Sequence, residues 1–114
     1  MSQAGFFSGG SGPPPIVVRS YTNVVFSGGT NTYTVLPTDE FISVDPEIPG
    51  TIILPSAPTQ NQEFVIKDRT GMSSTNNITV TAGSSTIDLA ASKLLNDNFV
   101  SISLHYHSGN YEIF

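Results

Sequence analysis

The chain of 114 residues is long enough for one small domain and too short for two. Charged residues make up 11% of it, against roughly a quarter in ordinary globular proteins, and the formal net charge is −5. The negative net charge argues against a nucleic acid partner. The lack of cysteine excludes disulfides and thiolate metal sites. No apolar run approaches the roughly 20 residues that span a bilayer, so no membrane partner is expected.

The residue types favour strands over helices. Ile and Val far outnumber Leu and Ala, and β-branched side chains suit pleated strands but lose rotamer freedom in a helix. Ser, Thr and Asn supply much of the remainder, and these residues suit turns and the solvent faces of strands. The composition therefore predicts an almost all-β protein.

Residues 1–15 form a separate compositional unit ahead of a β domain at 16–114. This leader is uncharged and Gly-rich, and it ends in Pro13, Pro14 and Pro15, which favour an extended polyproline II spacer. Its only apolar pair is Phe6 and Phe7. Either the leader is an idle disordered tail or its aromatic pair enters pockets on a partner. We favour the docking peptide, because exposed aromatic anchors are rarely displayed without use.

Short strands are predicted along the rest of the chain, with turns of Gly, Pro, Asn and Ser between them. The predicted strands are residues 16–20, 24–27, 32–36, 41–45, 51–54, 63–67, 77–82, 86–89, 99–106 and 111–114. Residues 90–95 favour either a helical turn or a loop. Hairpin turns are predicted at residues 28–31 and 108–110, because Gly and Asn tolerate positive φ. About ten strands at this spacing predict an antiparallel β-sandwich or barrel.

Alternation of apolar and polar residues identifies the predicted core. Ile78, Val80 and Ala82 share one face of their strand, and Ile87 and Leu89 repeat the pattern in the next strand. On the longest strand, Val100, Ile102, Leu104 and Tyr106 are predicted to face the core. A period of two is typical of a half-buried strand.

Five segments have a recognisable pattern: ILPSAP at 53–58, NQEFVIKD at 61–68, NNITVT at 76–81, STID at 85–88 and the C-terminal hairpin ending at Phe114. Together they resemble a β module found in bacteriophage tail fibres and other virion surface proteins. The likeness covers about residues 32–114, and Leu89 stands where the module often has glycine.

The resemblance implies a virion protein that is a homotrimer, either a head decoration, a head fibre or a short tail or collar fibre. Its partners would be capsid, tail or fibre proteins, bound through residues 1–15. The alternative is a receptor-binding module that recognises host-surface carbohydrate, because such modules often lie at fibre tips.

No catalytic, metal or cofactor site is predicted, and the chain is not expected to be an enzyme. His105 and His107 share a strand face, but two imidazoles are fewer ligands than a zinc site needs, so we expect solvated or interface histidines. The acidic residues from Asp39 to Glu47 are expected to be solvated turn residues rather than a glycosidase pair.

Other polar side chains have ordinary structural interpretations. Asp88 is predicted to be a turn or cross-strand partner. Exposed sheet-edge charges are predicted at Arg19, Lys67, Asp68 and Arg69. The tyrosines at 21, 33, 106 and 111 either stack on sugars or pack in the core or an interface, with packing preferred for Tyr106.

Overall fold

A computed structural model of the chain describes residues 19–114, and this part of the protein is all-β, with ten strands and no helix. The leader, with Phe6, Phe7, Pro13, Pro14 and Pro15, lies outside the described residues, as does most of the strand predicted at 16–20. The strands are β1 Tyr21–Phe26, β2 Thr32–Thr34, β3 Phe41–Pro46, β4 Gly50–Ile53, β5 Glu63–Asp68, β6 Ile78–Thr81, β7 Thr86–Ile87, β8 Ser92–Leu95, β9 Ser101–His107 and β10 Asn110–Ile113.

The strands form two mixed sheets in a solenoid-like stack. The larger sheet has the order β1-β3-β5-β9-β10-β7, and the smaller sheet has the order β2-β4-β6-β8. From β1 to β6 the chain alternates between the sheets, so that β1, β3 and β5 pair in parallel in one sheet and β2, β4 and β6 in the other. Antiparallel pairing of β8 with β6 and of β9 with β5 completes the stack.

The all-β prediction is confirmed, but the antiparallel sandwich or barrel is not. Within residues 19–114, five of the eight strand pairings are parallel. The turn predicted at residues 28–31 does form, with Ser27 and Thr30 exchanging backbone hydrogen bonds of 3.0 Å. Its two flanking strands then enter different sheets instead of pairing, so this turn is a corner of the stack.

The second predicted hairpin is confirmed. β9 and β10 pair antiparallel around a two-residue turn in which Ser108 and Gly109 both have positive φ. The helical turn considered at residues 90–95 is wrong, because β8 lies there and pairs with β6. Leu95 is buried by this pairing, whereas Leu94 stays 45% exposed.

The core lies between the two sheets. The predicted core residues Ile78, Val80, Ala82 and Leu104 are fully buried, and Ile102 is 7% exposed. Val100 and Tyr106 are partly buried and pack against this core. The core prediction is wrong for Leu89, which is 83% exposed. The core also contains Val24, Phe26, Val35, Ile42, Val44, Ile52, Leu54, Phe64, Ile66, Ile87, Leu95 and Tyr111. Burial of these β-branched and aromatic side chains is the main stabilising contribution to the stack.

Candidate interaction surface

The outer face of the larger sheet carries a line of apolar side chains that runs across its strands. The register places Tyr21 beside Phe41, Phe41 beside Val65, and Val65 beside Ser103. Phe114 follows β10 and donates its backbone N–H to Ser103, which places it at the same level. We call Tyr21, Phe41, Val65 and Phe114 the apolar row. Tyr21 is 63% exposed and Phe114 75% exposed.

A cavity of about 260 Å³ opens on this face. Its walls come from three members of the apolar row and from the next level of the sheet. The lining residues are Tyr21, Phe41, Ile42, Ser43, Val65, Lys67 and Ser101. Most of this lining is hydrocarbon or aromatic, so the cavity favours an apolar or flat-faced group over a strongly charged one.

Charges of opposite sign flank the apolar row. On one side lie Glu63 and Glu112, both next to His105, with 3.2 Å between the Glu63 carboxylate and the His105 Nε2. Arg19 and Glu40 form an ion pair near the same flank. Because their charges cancel, this pair does not change the net charge of the flank. On the other side lie Lys67 and Arg69. Asp45 follows the pairing of Val44 with Asp68 and so lies beside Arg69, which leaves this flank with one net positive charge.

Arg19 and Lys67 also cover aromatic rings. The Arg19 guanidinium lies 4.9 Å from the centre of the Phe41 ring, and the Lys67 ammonium lies 5.6 Å from that of Phe99. Such cation–π contacts fix the long side chains over the sheet. The ion pair with Arg19 lowers the pKa of Glu40, and the hydrogen bond from Arg19 to Glu40 raises the pKa of the guanidinium.

The two histidines occupy outward positions of β9, on the shared face that was predicted. His105 contacts Glu63 and lies edge-on to Phe114, with ring centres 4.7 Å apart, while His107 is exposed opposite Asn110. Among the described residues, no three His, Cys, Asp or Glu side chains are grouped as metal ligands. His105 is thus part of the surface around the apolar row.

Asp39 is buried, so the prediction of a solvated turn residue is wrong for this carboxylate. Its oxygens accept hydrogen bonds from Thr22 at 2.8 Å, from the Tyr33 hydroxyl at 2.6 Å and from the Leu36 N–H at 2.9 Å. Burial alone would raise the pKa of Asp39, but these donors lower it below its usual value. Burial and the hydrogen bond from its hydroxyl to Asp39 raise the pKa of Tyr33 to about 12.

Asp68 is also fully buried, which corrects its assignment as an exposed edge charge. It ends β5, a strand in the middle of the sheet, so the edge assignment is wrong for the half-buried Lys67 as well. One oxygen accepts from the N–H groups of Thr70 and Gly71, and the other from those of Ser73 and Phe99, at 2.9 to 3.2 Å. Burial alone would raise the pKa of Asp68, but the backbone donors hold it below its usual value.

Tyr106 and Asp88 have the structural roles predicted above, and of the two roles left open for Tyr111 the structure shows core packing. Tyr111 is buried, its hydroxyl donates to the Pro55 carbonyl, and burial raises its pKa. Tyr106 packs against it, with ring centres 5.2 Å apart. Asp88 accepts a hydrogen bond of 3.1 Å from the Ile113 N–H. Of the four tyrosines, which all lie within residues 19–114, Tyr21 is the one that lines the cavity.

Sequence reasoning did not find the apolar row. The alternation in β3 and β5 placed Phe41 and Val65 opposite the core-facing residues, which was the available signal. It could not place Phe41, Val65 and Phe114 at one level of the sheet, with Ser103 between the last two, because that depends on the register among β3, β5, β9 and β10.

Comparison with known proteins gives no further guide: no family model matches the chain, and no curated protein matches its sequence. In the described part of the chain there is no helix of the length and hydropathy that crossing a membrane requires.

Proposed function

We propose that the protein is a structural component of a bacteriophage virion. It is a homotrimeric β module, a head decoration, a head fibre or a short tail or collar fibre. Residues 1–15 attach it to a capsid, tail or fibre protein, with Phe6 and Phe7 as anchors and the three prolines as a spacer.

The observation that carries this proposal is that the motifs resembling the virion module serve as scaffold. In the segment EFVIKD, Phe64, Ile66 and Asp68 are fully buried, and the carboxylate of Asp68 is occupied by four backbone N–H groups. In the segment NITVT, Ile78 and Val80 are fully buried. These residues stabilise the loops and sheets, and this structural role is the one expected in a module that is displayed on a particle.

Incorporation into particles tests the attachment. Particles made without this protein are mixed with the full chain, with a variant lacking residues 1–15, or with the double variant Phe6→Ala/Phe7→Ala, and then purified and assayed for bound protein. We expect the full chain to bind and both variants to be lost, because the anchors are removed.

The matched control is Ser8→Ala/Ser11→Ala, which changes the same segment without touching an aromatic residue and should bind like the full chain. Equal incorporation of the full chain and the shortened variant would contradict attachment by the leader. Failure of the full chain to bind any particle component would contradict the virion role.

A receptor-binding module for host-surface carbohydrate is the second candidate, and the cavity beside Tyr21 and Phe41 favours it. Exposed aromatic faces stack on sugar rings, and Ser43, Lys67 and Ser101 lie at the same cavity. A glycan-array screen with the full chain and with Tyr21→Ala tests this candidate. Binding that is lost in Tyr21→Ala would support it, and an array without any bound glycan would refute it.

A further inference from the structure

We infer that the apolar row is the surface through which copies of this chain associate, with three copies facing a common axis. The inference rests on the proposed homotrimer and names the face that forms it. Tyr21 and Phe114 are largely exposed on a sheet face that also carries Phe41 and Val65, and outward sheet faces of this kind are normally polar.

The charges beside the row determine how copies can meet. β5 begins with Glu63 on one flank of the row. At its other end, on the opposite flank, it contains Lys67 and is followed by Arg69. If the symmetry axis runs along the row, perpendicular to the strands, β5 of every copy lies at the same level. The Glu63 end of each β5 then meets the Arg69 end of the next, so opposite charges come together.

The width of the face fits three copies. Strands of six residues give a face about 20 Å wide, and three such faces closed into a prism place each sheet about 6 Å from the axis. This distance is close to half the roughly 10 Å that separates packed sheets, so the side chains of the row can fill the centre.

A face-to-face pair of copies is less favourable for these residues. Such a pair would also bring the two flanks together, but it would cover them between the sheets and withdraw Glu63, Lys67 and Arg69 from water. Burying charges costs more than the pairing returns unless the geometry is excellent. In the three-copy prism the charged flanks lie at the corners, where they stay hydrated.

The first test is the mass of the full chain in solution, measured by sedimentation equilibrium without particles. We expect about three times the monomer mass of 12.1 kDa. The variants Tyr21→Lys and Phe114→Lys should shift the protein to monomer, because they bring three ammonium groups to the axis. Leu94→Lys, at a 45% exposed leucine of the smaller sheet, is the control and should keep the trimer.

A charge-reversal cycle tests the orientation. Glu63→Lys and Arg69→Glu should each weaken association about tenfold or more, because each places like charges at all three contacts. The double variant should recover most of the wild-type association, a result that damage to the fold of one subunit would not produce. Circular dichroism confirms that each variant retains its β structure.

Three results would overturn the inference. They are a wild-type monomer at high concentration, lysine variants of the row that associate as tightly as wild type, and a charge-reversal double variant weaker than either single change. A monomer that binds a glycan through Tyr21 would favour the second candidate function instead. A wild-type monomer would also remove the homotrimer from the proposed function. The other two results leave the homotrimer standing and overturn only the choice of face, and attachment to the particle is tested separately by the incorporation assay on residues 1–15.

Discussion

At the scale of single residues, the turn between β7 and β8 contains an unusual leucine. Asp88 and Leu89 have φ of 45° and 66°, and Ile87 and Ala90 close the turn with backbone hydrogen bonds of 2.8 and 2.9 Å. Leu89 is 83% exposed, so its side chain gains little from packing in the subunit. The left-handed conformation costs an L-residue roughly 1–2 kcal/mol, whereas glycine adopts it freely.

Replacing this leucine with glycine should therefore stabilise the protein. We expect Leu89→Gly to raise the free energy of unfolding by about 0.5–1 kcal/mol, because relief of strain exceeds the extra entropy that glycine gives the unfolded chain. Urea denaturation at a fixed protein concentration measures the change.

The matched control is Leu94→Gly, at an exposed leucine that lies in a strand and has no positive φ. This variant should lose about 1 kcal/mol, since glycine weakens a strand. Destabilisation by Leu89→Gly as large as that of Leu94→Gly would show that the turn is not strained.

At the scale of elements, one glycine lets the two sheets approach each other at the start of the stack. Phe26 ends β1 in the larger sheet and is fully buried, and Gly50 begins β4 in the smaller sheet. A Cβ atom at residue 50 would lie 2.3 Å from Cδ2 of the Phe26 ring, far inside van der Waals contact. The absence of a side chain at Gly50 is thus what allows this ring to lie between the sheets.

We expect Gly50→Ala to lower the free energy of unfolding by about 2 kcal/mol, since the buried ring has to move within a filled core. Gly29→Ala is the control, because a Cβ there meets nothing within 4 Å. It should change stability by less than about 0.5 kcal/mol. Thermal and urea unfolding of both variants measure the difference, and equal stability of the two would contradict the close approach.

How far the strands could be predicted depends on the range of the interactions involved. Alternation located β5 and β6 closely, because a period of two depends only on which face of a strand is buried. Partners could not be located in this way: the corner at Gly28 and Gly29 has the local chemistry of a hairpin, yet its strands separate into two sheets. Parallel pairing depends on contacts distant in sequence, which no local pattern encodes.

Parts of the candidate surface were missed because they too depend on contacts distant in sequence. Asp39 looks like an ordinary turn carboxylate and Asp68 like an exposed sheet-edge charge, and their burial follows only from how loops fold over them. The apolar row needs five strands, β1, β3, β5, β9 and β10, in register before its members align. The histidines were placed correctly on one face because they share a strand.

At the scale of the whole molecule, two buried carboxylates fix loops on the stack and make its stability depend on pH. Asp68 joins the loop after β5 to the turn before β9 through Ser73 and Phe99, and Asp39 fixes the segment between β2 and β3. Both have a folded-state pKa below the usual value, which in unfolded chains is about 3.9. Between the two values the unfolded state binds more protons than the folded state.

The stability from these carboxylates is therefore complete above the unfolded pKa and is lost as the pH falls through the folded pKa. We expect Asp68→Asn to lower the free energy of unfolding at pH 7 by about 3 kcal/mol, because the amide cannot accept from all four buried N–H donors.

Urea unfolding between pH 7 and pH 3 should also show a flatter acid dependence in Asp68→Asn than in wild type, because residue 68 then takes up no proton on unfolding and only Asp39 still does. Asp97→Asn, at an exposed aspartate of the neighbouring turn, should keep the wild-type dependence. If Asp68→Asn instead matched Asp97→Asn at every pH, the four backbone donors would be satisfied without the charge, and the loops would be held by the packing around them.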